Sequence, residues 1–125
     1  MFRVLVLAAT VVVIAQQTPI GQIPSSRIIY SRDQTVAPAF EGWELNPDGS
    51  FNLVFGYMNR NLDEHLDIPI GPANTLDPGG PDQGQPTHFL PRRNRFAFRV
   101  RVPPDFGNNE LVWTLTSRGK TERAY

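Results

Sequence analysis

The chain contains no cysteine. That removes disulfides, thiolate nucleophiles, cysteine-based metal centres and the lipid-anchoring cysteine of a lipoprotein. Histidine is nearly as scarce, with His65 and His88 the only two. Lys120 is the single lysine; the other eleven cations are arginines, a bias that base composition alone can produce. Twelve basic residues balance twelve acidic ones, so bulk charge gives no grip on a polyanion and argues against nucleic-acid binding. No run shows a helical period. No serine lies in a G-x-S-x-G context, and no glycine-rich phosphate loop is present. These absences argue against an enzyme.

What is present begins with a leader. Met1-Phe2-Arg3 carries one positive charge, and residues 4–15 (VLVLAATVVVIA) are apolar except for Thr10. Val13-Ile14-Ala15 offers small or β-branched residues at a cleavage site. A basic start, a short apolar run and a small-residue exit read as a cleavable signal peptide over residues 1–15. The competing readings are an uncleaved membrane anchor and a buried first strand, but a spanning helix needs about 20 apolar residues. Cleavage places the protein outside the cell or in the periplasm and leaves eleven cations against twelve anions. Residues 16–36, with Pro19, Gly21, Pro24 and Ser25-Ser26, read as a flexible arm. Its apolar cluster Ile28-Ile29-Tyr30 is either an edge strand or part of that arm.

Residues 37–125 read as one β-domain. Asn46-Pro47-Asp48-Gly49 has reverse-turn chemistry: Pro47 pre-sets φ, Asn and Asp bond locally, and Gly49 tolerates positive φ. Strands are expected at 40–45 and 50–59, the second with Phe51, Leu53, Phe55 and Tyr57 on one face. Further strands are expected at 65–70, at 87–90, and at 95–102 with Phe96, Phe98, Val100 and Val102 inward. The last two are expected at 110–117, with Leu111, Trp113 and Leu115 inward, and at 121–125. Residues 71–86 (GPANTLDPGGPDQGQP) are expected to hold no strand or helix. Six or seven short strands with Pro/Gly turns predict an all-β, antiparallel two-sheet immunoglobulin-like sandwich. Its core is expected around Phe51, Phe55, Phe96, Phe98, Trp113 and Leu115.

Three strings together carry a resemblance: GWELNPDGSFNLVFGYMNRN (42–61), DIPIGPANTLDPGGPDQGQPTHFLPRR (67–93) and VPPDFGNNELVWTLTSRGKT (102–121). They resemble a group of uncharacterised exported proteins of environmental and soil bacteria. The resemblance spans residues 40–121. It implies export and a β-fold, and it implies no catalytic residues. Members continue past the position of Tyr125, which implies a last strand cut short here. More loosely, an FGYMNRN strand followed by a polar turn resembles sandwich domains of cell-surface adhesion and assembly.

The function read from these features is a non-enzymatic exported binding, interaction or structural module, with an envelope protein or polysaccharide as partner. The alternative is a carbohydrate- or calcium-binding domain using residues 71–88. There Asn74, Asp77 and Asp82 offer oxygens to Ca²⁺, a hard ion that takes six to eight of them. Gln85 and His88 lie in the same segment, where the plainer reading is a crossover whose side chains bond their own backbone. Arg95, Arg99 and Arg101 share the outward face of one strand, beside Arg92 and Arg93. They suit an acidic polysaccharide, or pairing with Glu41, Glu44 or Glu110 on neighbouring strands. Trp43 is the aromatic candidate for sugar stacking, against packing between the sheets. A zinc site requires both histidines together with Asp63, Glu64 or Asp67, and their spacing forms no known motif. His65 is expected to face solvent and His88 to bond within the loop. A hydrolase built on these groups is the remaining alternative, and it requires the two histidines close together.

Overall fold

A computed structural model describes residues 31–125. The expected signal peptide and the Ile28–Tyr30 cluster lie outside the described residues. Those that are described form eight strands and no α-helix. The strands are β1 (Val36–Leu45), β2 (Phe51–Asn59), β3 (Leu66–Asp67), β4 (Asn74–Asp77), β5 (His88–Phe89), β6 (Arg92–Val102), β7 (Val112–Ser117) and β8 (Lys120–Ala124). They pair into a three-stranded sheet of order β1-β2-β6, a second of order β4-β7-β8, and a two-stranded β3-β5 ribbon, all antiparallel.

The first hairpin closes as its sequence requires. Gly49 N–H donates to Asn46 O at 3.0 Å, and Gly49 takes φ +90°. The Asp48 carboxylate accepts from Ser50 N–H and from Ser50 Oγ at 3.0 and 2.6 Å. The expected turn is therefore present, with Asp and Ser side chains fastening it.

Cross-strand register puts three rungs of apolar side chains on one face of the first sheet: Phe40–Phe55–Phe98, Trp43–Leu53–Val100 and Leu45–Phe51–Val102. Only the first meets the second sheet in depth. Phe55 and Phe98 stack at 5.4 Å, and Trp113 from β7 stands edge-on to both, at 6.0 and 4.8 Å. Phe89 of the ribbon closes the side, 4.8 Å from Tyr57 and 6.3 Å from Trp113. Phe55, Phe89, Trp113 and Leu115 are fully buried. Removing a side chain of this kind costs about 3–5 kcal/mol through lost transfer energy and the cavity left behind.

Several sequence expectations need correction. Phe96, expected in the core, is 56 % exposed at φ +52°. The β2–β6 register shifts between Phe55↔Phe98 and Tyr57↔Asn94, so a bulge around Phe96 lies opposite Gly56. The bulge interrupts the alternation and turns Phe96 to solvent. It also explains Gly56, where a Cβ would meet Asn94 O at 2.6 Å and would clash with Glu41 Oε1. The segment 71–86, expected to hold no strand, contains β4. Asn74 and Leu76 point inward and Asp77 outward, a period too short to register between its glycines and prolines. Phe51 is only half-buried, for the reason given next.

Residues 31–35, assigned by composition to the flexible arm, are fastened to the domain. Ser31 O accepts from Leu62 and Asp63 N–H, and Gln34 N–H donates to Asn61 Oδ1 at 2.7 Å. The second sheet is shorter than the first. β7 begins at Val112, β8 ends at Ala124, and Trp113 pairs with Ala124. Beyond that level, among the described residues, no strand lies over Trp43 and Leu45, which are exposed, while Val100 and Val102 of the same rungs stay buried.

Candidate functional site

The outer rungs rim a cleft of about 600 Å³ at the hairpin end of the domain. Phe40, Trp43, Phe51 and Leu53 line its floor. Phe106 and Leu111 form one wall with Asn109 and Glu110, and Tyr125 borders it. Each part has a local cause. Gly42, at φ +128° in the β1 bulge, resets the register so that Trp43 falls opposite Leu53 on the apolar face. Pro103-Pro104 ends β6 and starts a single 3₁₀ turn, Pro104–Phe106, which brings Phe106 against the core edge. Trp43 meets Phe51 edge-on at 5.4 Å, yet it remains 64 % exposed. Phe40, Leu45 and Tyr125 are exposed as well. Contiguous apolar surface of this kind marks interaction sites more often than scattered exposed residues do.

The candidate loop is arranged differently. Gln85, offered as a ligand, is 5 % exposed and engaged at both ends of its amide. Its Oε1 accepts from Gln83 N–H at 2.9 Å, and its Nε2 donates to Pro81 O at 2.6 Å and Asn74 O at 3.4 Å. Asn74 is fully buried. Its Nδ2 donates to Ile68 O and Pro86 O, both at 2.8 Å, and its Oδ1 accepts from Trp113 Nε1 at 2.9 Å. Asn74 and Gln85 therefore bind the loop to the core, and their oxygens are occupied. Asp77 and Asp82 are exposed, and Asp82 accepts from Gly84 N–H at 3.3 Å. Among the described residues no group of three or more His, Cys, Asp or Glu side chains gathers around one point.

The arginines of β6 are largely paired. Arg99 bonds both carboxylate oxygens of Glu44, at 2.9 and 3.3 Å. That hydrogen bond, with a second from Asn52, holds the Glu44 carboxyl below its ordinary range. Arg101 reaches Asp48 and Ser50 across the first hairpin, and Arg93 reaches Glu41 at 2.5 Å. Arg95 sits exposed in the bulge with no acid partner among the described residues. The five arginines thus present no single cationic face.

The histidines, 23 residues apart, meet. His88 bonds across the ribbon rather than within the loop: its Nδ1 lies 2.7 Å from Asp67 Oδ1 and its Nε2 3.0 Å from His65 Nδ1. Sequence spacing gave no sign of this. Pairing Leu66 with Phe89, two apolar residues flanked by polar ones, would have shown it, because that register sets Asp67 against His88. No hydroxyl among the described residues hydrogen-bonds either imidazole.

A last cluster fastens the 31–35 segment. Arg118 reaches Glu64 Oε2 at 2.8 Å, Gln34 O at 3.1 Å and Asp33 Oδ1 at 3.5 Å. The Asp33 N–H bond to Glu64, aided by Arg118 and Arg32, keeps that carboxyl low. Arg60 grips both oxygens of Glu122 at 2.7 and 3.0 Å and lowers its carboxyl likewise.

Compared with known proteins, the chain matches no family model, no curated protein and no solved structure.

Proposed function

We propose that the chain is an exported, non-enzymatic immunoglobulin-like sandwich that binds an extended apolar segment of a cell-envelope protein in the cleft beside Trp43. Strand order supports the sandwich reading. The sheets β1-β2-β6 and β4-β7-β8 follow the A-B-E and C-F-G orders of that architecture. The Phe55–Trp113 contact lies between the B and F equivalents, where antibody domains place a disulfide. The leader supports export.

The observation that carries the binding reading is the cleft itself, with Trp43 64 % exposed over an apolar floor. A sugar site sets an aromatic face among convergent polar side chains. This lining offers few polar groups, Asn109 and Glu110 among them. An extended peptide fits better, since among the described residues β1 pairs on one side only, with β2, and its side chains flank the cleft. Calorimetry of the purified chain against peptides of alternating apolar and polar residues, and against neutral and acidic oligosaccharides, tests this. The expected result is peptide binding that Trp43→Ala weakens at least tenfold and Leu53→Glu abolishes. Binding of saccharide alone, or peptide binding indifferent to both substitutions, overturns it.

A further inference from the structure

The chain has no thiol and only two imidazoles, and the fold brings both imidazoles together on the β3–β5 ribbon. We propose that His65 Nδ1 and His88 Nε2 form a two-nitrogen site for a divalent late first-row transition ion, with Cu²⁺ held tightest and Asp67 positioning His88.

Four features of the ribbon carry this. The two nitrogens stand 3.0 Å apart. With metal–imidazole bonds of about 2.0–2.1 Å, that separation subtends about 95° at an ion. This is the angle of neighbouring positions in tetragonal or octahedral coordination, which Cu²⁺ and Ni²⁺ favour. Tetrahedral Zn²⁺ requires the nitrogens to open to about 3.3 Å. Second, the Asp67 carboxylate accepts from His88 Nδ1–H at 2.7 Å, which leaves Nε2 as the unprotonated ring nitrogen, engaged by His65 Nδ1–H in the metal-free chain. A carboxylate behind a ligating histidine is the usual support for such a ligand.

Third, the backbone on either side is held from within. Buried Asn59 donates through Nδ2 to Glu64 O at 2.8 Å and to Phe89 O at 3.2 Å, the residues next to His65 and His88. Ile68 N–H donates to Thr87 O at 2.8 Å in the same ribbon. The backbone carrying both rings is therefore preorganised, and on binding each ring turns from its neighbour toward the shared ion. Fourth, both imidazoles are exposed, so water can complete the coordination shell. The neighbouring acid Glu64 is committed to Asp33 N–H and Arg118 and does not compete.

Without metal, the His65 Nδ1 proton is donated to His88 Nε2. On binding, His65 takes its other neutral tautomer, the proton moves to Nε2, and Nδ1 becomes a ligand. No net charge or electron is exchanged.

The test is a Cu²⁺ titration of the untagged chain, followed by calorimetry, electron paramagnetic resonance and melting temperature. One Cu²⁺ per chain is expected, with nitrogen hyperfine structure from two imidazoles and a raised melting temperature, since the ion binds only the folded pair. His65→Gln and His88→Gln each weaken binding at least tenfold, and the double variant loses the event. Asp67→Asn lowers affinity about 10–100-fold while the two-imidazole spectrum persists. The metal-free melting temperature of each variant, all at exposed positions, should stay at the parent value. Absence of saturable Cu²⁺ binding to the parent chain overturns the proposal, as does binding that survives in the double histidine variant.

Discussion

The two tryptophans occupy opposite circumstances on the same pair of sheets. Trp113 is fully buried, edge-on to Phe55 and Phe98, with its indole N–H satisfied by Asn74. Trp43 lies on the same inward face of the first sheet as Phe55, yet it is 64 % exposed. Alternation places Trp113 inward, whereas the bulge at Gly42 brings Trp43 onto the apolar face of its sheet. What separates them is the length of the opposing sheet, in which, among the described residues, β7 begins at Val112. One tryptophan is therefore an element of stability, and the other is surface available for contact.

The largest expected effect breaks that contrast from the buried side. Trp113→Ala should destabilise by about 3–5 kcal/mol in denaturant titrations, a large share of what a domain of this size possesses. Trp43→Ala should cost under about 1 kcal/mol, because little surface returns to water. Equal losses would mean that the two ends are packed alike.

Asn74 comes next. Asn74→Ala strands the Trp113 N–H, a buried carbonyl at Ile68 and a partly buried one at Pro86, and about 1–3 kcal/mol is expected for each buried group left unsatisfied, less whatever water recovers. A melting temperature unchanged from the parent would show that the loop is not held through this amide.

Acid should act in the same direction on a smaller scale. The Glu122, Glu64 and Glu44 carboxyls are held low in the folded chain, so each contributes stability that is complete above the ordinary glutamate value of 4.5. That contribution is lost as pH falls through the depressed folded values. Melting temperature should be level where these groups stay ionised in both states and decline below about pH 4.5, and Glu122→Gln should reduce the slope. A decline that Glu122→Gln leaves untouched would exclude the Arg60 pair as a contributor. Smallest of all is Arg95→Ala in the exposed bulge, expected within about 0.5 kcal/mol of the parent by the same titration.

Much of the strand pattern was legible in the sequence because it obeys local rules. The 46–49 turn declares itself through Pro47 and Gly49, and Leu111, Trp113 and Leu115 alternate inward as the period of two requires. Phe96 misleads because a bulge is set by the neighbouring strand, through the crowding over Gly56, and leaves no mark on its own alternation. β4 is hidden for a related reason: four residues between glycines and prolines carry too short a period, and their pairing with β7 spans about forty residues.

The candidate site divides similarly. Trp43 was identifiable as an aromatic candidate, but its exposure depends on where another sheet ends. Gln85 and Asn74 have side chains suited to a ligand, and only the tertiary contacts show that the core already uses them. The meeting of His65 with His88 is fixed by a two-residue ribbon whose register no single segment encodes.

One end of the domain is sealed and the other open, and acrylamide quenching of the two tryptophans reads this directly. One strongly quenched and one protected component are expected in the parent chain, with Trp43→Phe removing the quenched component and leaving a blue-shifted, protected emission. Two tryptophans equally shielded from acrylamide would mean that the cleft is already filled, and the apolar face proposed for binding would not be free.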